Sequence, residues 1–235
     1  MFKKKHVFIL LCLFLGLQHI QAQGFFRRGN NIKNLENFDK NRWSWGYFLG
    51  FNAYDFKFDY KEHPTQDIII DKTTGFNVGL IGNLRLNDYM DLRLEPGVMF
   101  TQRNFMYPEI PEDNLREVKS TYIHIPLLMK FSTKRLNNFK PFVVGGVSTS
   151  INLSSNENNP DDNSVGEFRM NTNTYYYEIG FGIDFYLYFF KFTPSIRGVF
   201  AINDELKRDL DPNSPYTGNI NSMESRAIFI NFTFQ

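Results

Sequence analysis

This 235-residue sequence offers few candidates for a histidine general base. Two of its four histidines, His6 and His19, lie in a predicted export signal, which leaves His63 and His124. Histidine is the usual general base near neutral pH. We place His63 in a solvated loop and His124 on an inward face, where a hydrogen-bonding role is favoured over catalysis. The sequence shows no nucleophile and base within reach of each other, as a hydrolase requires.

The sequence also gives no sign of a metal, cofactor or nucleic-acid site. Asp161 and Asp162 could bind a cation, but they lack the spaced ligands of a calcium loop, and we expect a solvated loop. No phosphate loop, zinc spacing or dinucleotide fingerprint is present. Without the three lysines of the signal the chain has 23 bases and 25 acids, a net charge of about −2. We therefore predict no cofactor and no nucleic-acid partner.

The elements that must position these residues are strands, because large apolar residues recur at every second position. The last ten residues, RAIFINFTFQ, show the pattern up to the C-terminus. In the first strand the apolar phase changes after Phe51, which predicts a bulge near Asn52. The facing of the strand from Phe142 to Leu153 does not follow from its residues. Eight strands are predicted, over residues 43–58, 75–86, 91–100, 121–131, 139–153, 174–187, 189–202 and 226–235.

The faces opposite the apolar rows carry charged residues, and their placement decides what kind of barrel this is. A Lys or Arg on a lipid face costs on the order of 2 to 4 kcal/mol at the bilayer midplane. The charges must therefore point inward and the apolar rows outward, whereas a soluble barrel for an apolar ligand would reverse this. Buried charges require mutual pairing. The predicted interior polar network comprises Arg85, Arg93, Glu95, His124, Lys130, Glu178, Asp184, Lys191 and Arg197.

The connections between the predicted strands alternate between short and long. Short turns lie at 87–91, at 132–138 and around Tyr188, whereas polar stretches fill 59–74, 104–119, 154–171 and 203–222. An even number of antiparallel strands with this alternation is the plan of a bacterial outer-membrane barrel. We predict an all-β fold: an eight-stranded antiparallel transmembrane β-barrel with short periplasmic turns and four long extracellular loops. Eight strands leave an interior just wide enough for side chains, which disfavours a pore.

The sequence divides into three predicted segments. Residues 1–22 resemble a cleaved signal peptide, with three lysines before an apolar run that is too short to span a membrane. Residues 23–42 are predicted to form a periplasmic leader, and residues 43–235 the outer-membrane barrel. The C-terminal strand must pair with the first near residues 45–51, because a barrel in lipid cannot leave an edge unpaired. The expected partners are outer-membrane lipid and the barrel-assembly machinery.

Two stretches resemble a known family. Residues 34–58, NLENFDKNRWSWGYFLGFNAYDFKF, resemble the mature start of PorT (SprT) proteins, with an Asn-Leu-x-x-Phe-Asp leader before an aromatic-Gly-aromatic strand. The segment YIHIPLLMKF, 122–131, resembles a motif of the wider outer-membrane β-barrel superfamily of Bacteroidetes-type bacteria. The resemblance implies a non-catalytic role in type IX protein secretion, with gliding motility in some members, and other secretion components as partners. The leader residues Asn34, Leu35, Phe38 and Asp39 are candidates for contact with a periplasmic partner, and a poorly ordered tether is the alternative.

Two other functions stay open. A stand-alone adhesion or surface barrel would act through its four long loops and leave secretion normal. An outer-membrane lipid enzyme would depend on His124, so replacing it would abolish activity while the barrel still folds.

Overall fold

The computed structural model describes residues 33–64, 66–108, 115–159 and 168–235. The predicted signal peptide and Asp161 and Asp162 lie outside the described residues. No helix among the described residues is long and apolar enough to span a membrane. The strands are β1 (Trp43–Tyr60), β2 (Ile69–Lys72), β3 (Thr74–Arg85), β4 (Met90–Leu94), β5 (Gly97–Met106), β6 (Leu115–Ser132), β7 (Phe139–Asn152), β8 (Asn173–Tyr186), β9 (Lys191–Ala201) and β10 (Ile220–Phe234), preceded by a 3₁₀ turn at Phe38–Lys40.

The strands close into an antiparallel ring of eight positions. From β6 to β10 each strand pairs with the next, and β10 returns to pair with β1. β4 and β5 share one position, since both pair with β3 on one side and with β6 on the other. Pro96 lies between them, and proline cannot donate to a ladder. The predicted pairing of the last strand with the first is confirmed, with Tyr47 opposite Phe234 and Phe51 opposite Ile230.

The predicted facing of the strands is confirmed except in the second half of β1. Alternate residues are buried inside the ring, and the apolar rows point outward, as in β8, where Ile179 is 64% exposed and Glu178 is 3% exposed. β7, which could not be assigned from sequence, points Phe142 and Val144 inward and Val143 outward. An eight-stranded ring with an apolar outer surface and a polar interior matches the transmembrane barrel plan.

The predicted bulge near Asn52 is wrong. β1 keeps one register with β10 from Tyr47 to Asp59, and even-numbered residues point inward throughout. Tyr54 and Phe56 are therefore interior residues, only 1% and 3% exposed. The apolar phase changes in sequence because the environment changes along the strand: the outer face becomes polar above the apolar belt, while the interior becomes aromatic.

The two ends of the ring differ as predicted. Short turns connect β3 to β4, β6 to β7 and β8 to β9 at one end. The long connections lie at the other end and are partly strand, because β1 and β6 have 18 residues each and β2 pairs with β5. About 9 to 11 tilted residues cross a bilayer. The longest strands therefore project beyond the apolar belt on the side of the long loops.

Candidate functional site

The interior near the short turns is built around a buried ion pair. Lys130 Nζ lies 2.6 Å from Asp184 Oδ2, and the Thr193 hydroxyl donates to Asp184 Oδ1 at 2.8 Å. Lys130 Nζ also lies 4.1 Å from the centre of the Phe142 ring. Lys191 is buried beside them, 3% exposed. A carboxylate with a cation and a hydroxyl donor meets the pairing that a buried charge requires.

A second group of charges lies deeper in the ring. Glu95 accepts from Arg93 at 3.2 Å and from Arg197 at 2.9 Å, one guanidinium on each carboxylate oxygen. Arg197 Nε also lies 2.9 Å from Glu178 Oε2. Glu178 thus links this group to His124. The interior is a chain of alternating acids and bases, and such a chain fills the lumen with mutually neutralised charge.

His124 forms a contact that the sequence did not reveal. Its Nδ1 lies 2.6 Å from Ser150 Oγ, and its Nε2 lies 2.8 Å from Glu178 Oε1. Serine, histidine and carboxylate in line are the residue types of a hydrolytic triad. The ring is turned the other way, however, because the triad holds serine on Nε2 and the acid on Nδ1. Ser150 and His124 have no exposed surface and Glu178 has 3%, so the three groups satisfy one another in the interior.

Arg85 and His63 lie outside this network. Arg85, which we expected in the interior, is at the end of β3 and forms an ion pair with Asp88 in the following turn. The ladder phase points Arg85 inward, but the ring ends there and leaves its side chain at the rim. His63 is exposed in the first long connection, as its loop position predicted. No group of three His, Cys, Asp or Glu among the described residues is arranged to hold a metal ion.

The loop side of the interior is closed by aromatic residues around a buried arginine. The Arg103 guanidinium lies 4.5 Å from the centre of the Phe56 ring and donates to Ser120 at 2.8 Å and to Tyr122 at 2.9 Å. Arg103 is fully buried. Above it a cluster of buried apolar residues joins the strands to the long loops, and comprises Phe56, Phe105, Tyr107, Val118, Phe168, Met170, Leu206, Tyr216, Ile220 and Met223.

Glu205 enters this region from the last long connection. Its backbone N–H donates to the Met223 carbonyl at 2.9 Å, and its side chain accepts from the Ser225 N–H at 3.0 Å. The side chain has no exposed surface. Burial raises the pKa of the Glu205 carboxyl to about 7, against the opposite effects of Ser225 and of the nearby Arg103 charge. The loop therefore inserts a titratable acid into the mouth of the barrel.

At the short-turn end the leader is held by a group of side chains that we call the clasp: Arg135, Asn138, Tyr186 and Lys191. The Asn34 N–H donates to Asn138 Oδ1 at 2.9 Å, and the Asn34 side-chain amide donates to the Tyr186 carbonyl at 3.0 Å. Arg135 donates to the carbonyl of Asn34 and, at 3.3 Å, to that of Leu35. These contacts fix the beginning of the leader mainly through its main chain, with one further contact from the Asn34 side chain.

The clasp also contacts two side chains farther along the leader. The Tyr186 hydroxyl donates to Asp39 Oδ1 at 2.8 Å. The Phe38 ring packs edge-on against Tyr186, with centroids 6.3 Å apart, and Lys191 Nζ lies 4.5 Å from its centre. All four leader residues that the sequence singled out thus contact the barrel itself. Their contact with a separate partner remains a prediction.

The leader crosses the short-turn mouth of the ring. The turn that holds Asn34 precedes β7, which is four ring positions from β1 in either direction. At the other end of the leader, the Arg42 carbonyl accepts from the Arg85 N–H at 2.8 Å beside the start of β1. Residues 34–42 therefore connect opposite walls of the ring. A poorly ordered segment attached only at β1 would not contact the opposite wall.

The chain matches one family model and is distantly similar to several solved structures. A family model described as an outer membrane protein beta-barrel domain matches residues 21–207. No curated protein matches the chain significantly. The crystal structure of OprG from Pseudomonas aeruginosa is similar over 81% of this chain and 94% of its own, with 15% identity and a TM-score of 0.44.

Two further solved structures have comparable likeness. Ail, the attachment invasion locus protein of Yersinia pestis, is similar over 81% of this chain and 96% of its own, with 11% identity and a TM-score of 0.39. The outer membrane enzyme PagL is similar over 80% of this chain and 98% of its own, with 11% identity and a TM-score of 0.37. The likeness is too distant to transfer an activity from any of them.

Proposed function

The chain belongs to the family of outer membrane protein β-barrel domains, and on that premise we propose that it is a non-enzymatic barrel that serves the assembly or function of the type IX protein secretion machine. Family membership places it in the bacterial outer membrane. In such barrels the short turns face the periplasm and the long loops face outward. The clasp and the leader are then on the periplasmic side.

The observation that carries the proposal is the position of the leader. The segment that resembles the PorT (SprT) start, from Asn34 to Phe58, includes the residues that the clasp holds across the periplasmic mouth. A component that works with secretion proteins in the periplasm needs a distinctive surface there. The leader and the clasp together supply one.

The filled interior supports a scaffold rather than a pore or an enzyme. Lys130, Asp184, Glu95 and Arg197 occupy the lumen as paired charges, and Arg103 lies under an aromatic cover. The serine, histidine and glutamate in line have almost no surface that a substrate could reach. The barrel then contributes a membrane anchor and a periplasmic end.

The test is a clean deletion of the gene in its native bacterium, complemented with the wild-type chain. We expect exported type IX substrates to remain inside the mutant cells and to reach the medium again after complementation. Gliding, where the bacterium shows it, should be lost and regained in parallel. Normal secretion in the deletion strain would refute the proposal, and lost surface attachment in that strain would favour the adhesion barrel.

A further inference from the structure

The clasp recognises the leader mostly through features that another peptide could supply. At the first position, the Asn34 N–H donates to Asn138 and the Asn34 carbonyl accepts from Arg135. Farther along the leader, the Phe38 ring packs against Tyr186, and the Asp39 carboxylate accepts a hydrogen bond from the Tyr186 hydroxyl. Main-chain contacts are independent of sequence, whereas the aromatic–acid pair gives selectivity. This is the division found in peptide-recognition sites generally.

The leader is docked at the surface rather than packed into a core. No leader residue from Asn34 to Lys40 is buried, although Tyr186 beneath it is 1% exposed. Leu35 has a φ of 48°, in the left-handed region. That conformation costs a residue with a β-carbon roughly 1 to 2 kcal/mol. A segment with little buried surface and a strained residue has a low local free energy of opening.

The charges of the clasp favour an acidic ligand. Arg135 and Lys191 both face the leader, and Arg135 Nη1 lies 3.8 Å from Asp39 Oδ2. Asp39 is the acid that the leader brings to these two cations. A segment that replaced the leader would need an acid at the same place, because the largely buried cations Arg135 and Lys191 would otherwise lose a counter-charge.

We propose that the clasp is a peptide-binding site on the periplasmic rim, that the leader is its resident ligand, and that a segment of a periplasmic protein that adopts the same turn and carries an aromatic–acid pair can exchange with it. Binding of such a segment frees the leader, so each docking event exposes a second peptide. The site stands on the contacts of residues 34–39 alone and does not depend on a role in secretion.

The first experiment tests whether the leader is held in cis. The full chain in detergent micelles is treated with trypsin, and cleavage after Lys40 is followed by mass spectrometry. We expect Arg135→Ala to accelerate this cleavage about tenfold or more. Lys134→Ala is the matched control, because Lys134 is the exposed neighbour in the same turn and should leave the rate unchanged. Equal rates in the wild type and Arg135→Ala would overturn the docking.

The second experiment tests exchange. A fluorescent peptide covering Asn34–Asn41 is titrated into the full chain and into a full-length Phe38→Ala/Asp39→Ala variant, with binding read from anisotropy. A tethered ligand acts at an effective concentration of about millimolar. We therefore expect at least tenfold tighter peptide binding to the variant, with one peptide per barrel.

Two controls make every outcome of the exchange experiment informative. A peptide with alanine at the positions of Phe38 and Asp39 should not bind, and adding Arg135→Ala to the variant should abolish binding of the native peptide. Heat-modifiable gel mobility confirms that each variant is folded. Absence of binding to the variant, or binding that persists without Arg135, would overturn the proposal. A secretion defect in the deletion strain would be unaffected by either result.

Discussion

Lys130 and Asp184 show how single residues make a charged interior tolerable. The two side chains are 1% and 2% exposed and lie 2.6 Å apart. A pair of this kind adds little net stability, but removal of one partner leaves an uncompensated charge. The rest of the interior follows the same rule, with Glu95 between Arg93 and Arg197.

The Lys130→Met variant should therefore be strongly destabilised. Losing the cation next to Asp184 is expected to cost on the order of 3 to 5 kcal/mol. Urea unfolding in lipid vesicles, read by gel mobility without heating, measures this. Lys57→Met is the matched control, because Lys57 lies 3.8 Å from Glu224 with its side chain 65% exposed, and its loss should cost under about 1 kcal/mol. Similar losses for the two variants would argue against a buried network.

Ser150 tests whether the serine–histidine–glutamate line is catalytic. We expect no ester or lipid hydrolysis that depends on Ser150, because its hydroxyl is fully buried and lies on the Nδ1 side of His124. Hydrolysis by the purified chain and by Ser150→Ala should be equal on short-chain esters and on lipid extracts. If folded Ser150→Ala lost activity that the wild-type chain has, the result would support the lipid-enzyme hypothesis.

At the scale of elements, the closure between β1 and β10 depends on a glycine. A β-carbon at Gly50 would lie 2.5 Å from the Ile230 carbonyl oxygen and would also contact the Asn231 side chain. Backbone cannot yield at such a distance without shifting the ladder. At Gly145 the nearest atom, the Glu178 carbonyl oxygen, is 3.6 Å away.

We predict opposite outcomes for these two glycines. Gly50→Ala should impair closure of the ring and lower the folded yield severalfold. Gly145→Ala should fold normally or gain a few tenths of a kcal/mol, about what a restricted unfolded chain contributes. Refolding into vesicles, followed by gel mobility, gives both yields. Equal yields would show that the strands do not approach as closely as described.

The last long connection should respond to pH through Glu205. Its carboxyl has a pKa of about 7 when docked and an ordinary value of 4.5. Between these values the docked loop holds a proton that the free loop releases. Docking is therefore strongest below about pH 4.5 and weakens as the pH rises through about 7, by up to about 3 kcal/mol.

Amide hydrogen exchange in residues 202–219 measures this docking. Protection, corrected for the intrinsic rate, should fall between pH 5 and 8 in the wild type and stay constant in Glu205→Gln. Glu157→Gln is the control, because that acid lies in another loop and should leave the pH dependence in place. If the pH dependence persists in Glu205→Gln, it arises from other titratable groups.

The elements were predictable from sequence because one rule, apolar outward and charged inward, governs most of the residues in the apolar belt. That rule placed Ile228 and Ile230 outside and Lys191 and Arg197 inside. It failed at Asn52, where a change in the surroundings along β1 looked like a change in register. Alternation within β7 would have shown Ser150 facing inward, but its small residues hid the phase.

The contacts between distant segments were beyond the sequence. Asn34 and Asn138 are 104 residues apart, and Arg103 lies in β5 whereas Glu205 lies in the connection between β9 and β10. Periodicity describes one strand at a time and says nothing about which loop covers the mouth or which turn holds the leader. The clasp and the docked Glu205 follow from the closed ring, which brings these segments together.

For the whole molecule, the structure separates a middle filled with paired charges from two distinct ends. The lumen is filled, and the outer wall carries the apolar belt that an outer-membrane barrel presents to lipid. The long-loop end is covered by an apolar cluster that includes Phe105 and Leu206. The short-turn end holds the clasped leader. A barrel of this kind acts through its rim, which is the central claim of the proposed function.

Site-specific photocrosslinking in living cells tests that claim most directly. A photoreactive amino acid is placed at Lys134 on the short-turn rim or at Leu210 in the last long connection, where Leu210 is 82% exposed. We predict adducts with type IX secretion components from position 134 and none with those components from position 210. Adducts with those components from position 210 alone, or none from position 134 in a secreting strain, would contradict the account.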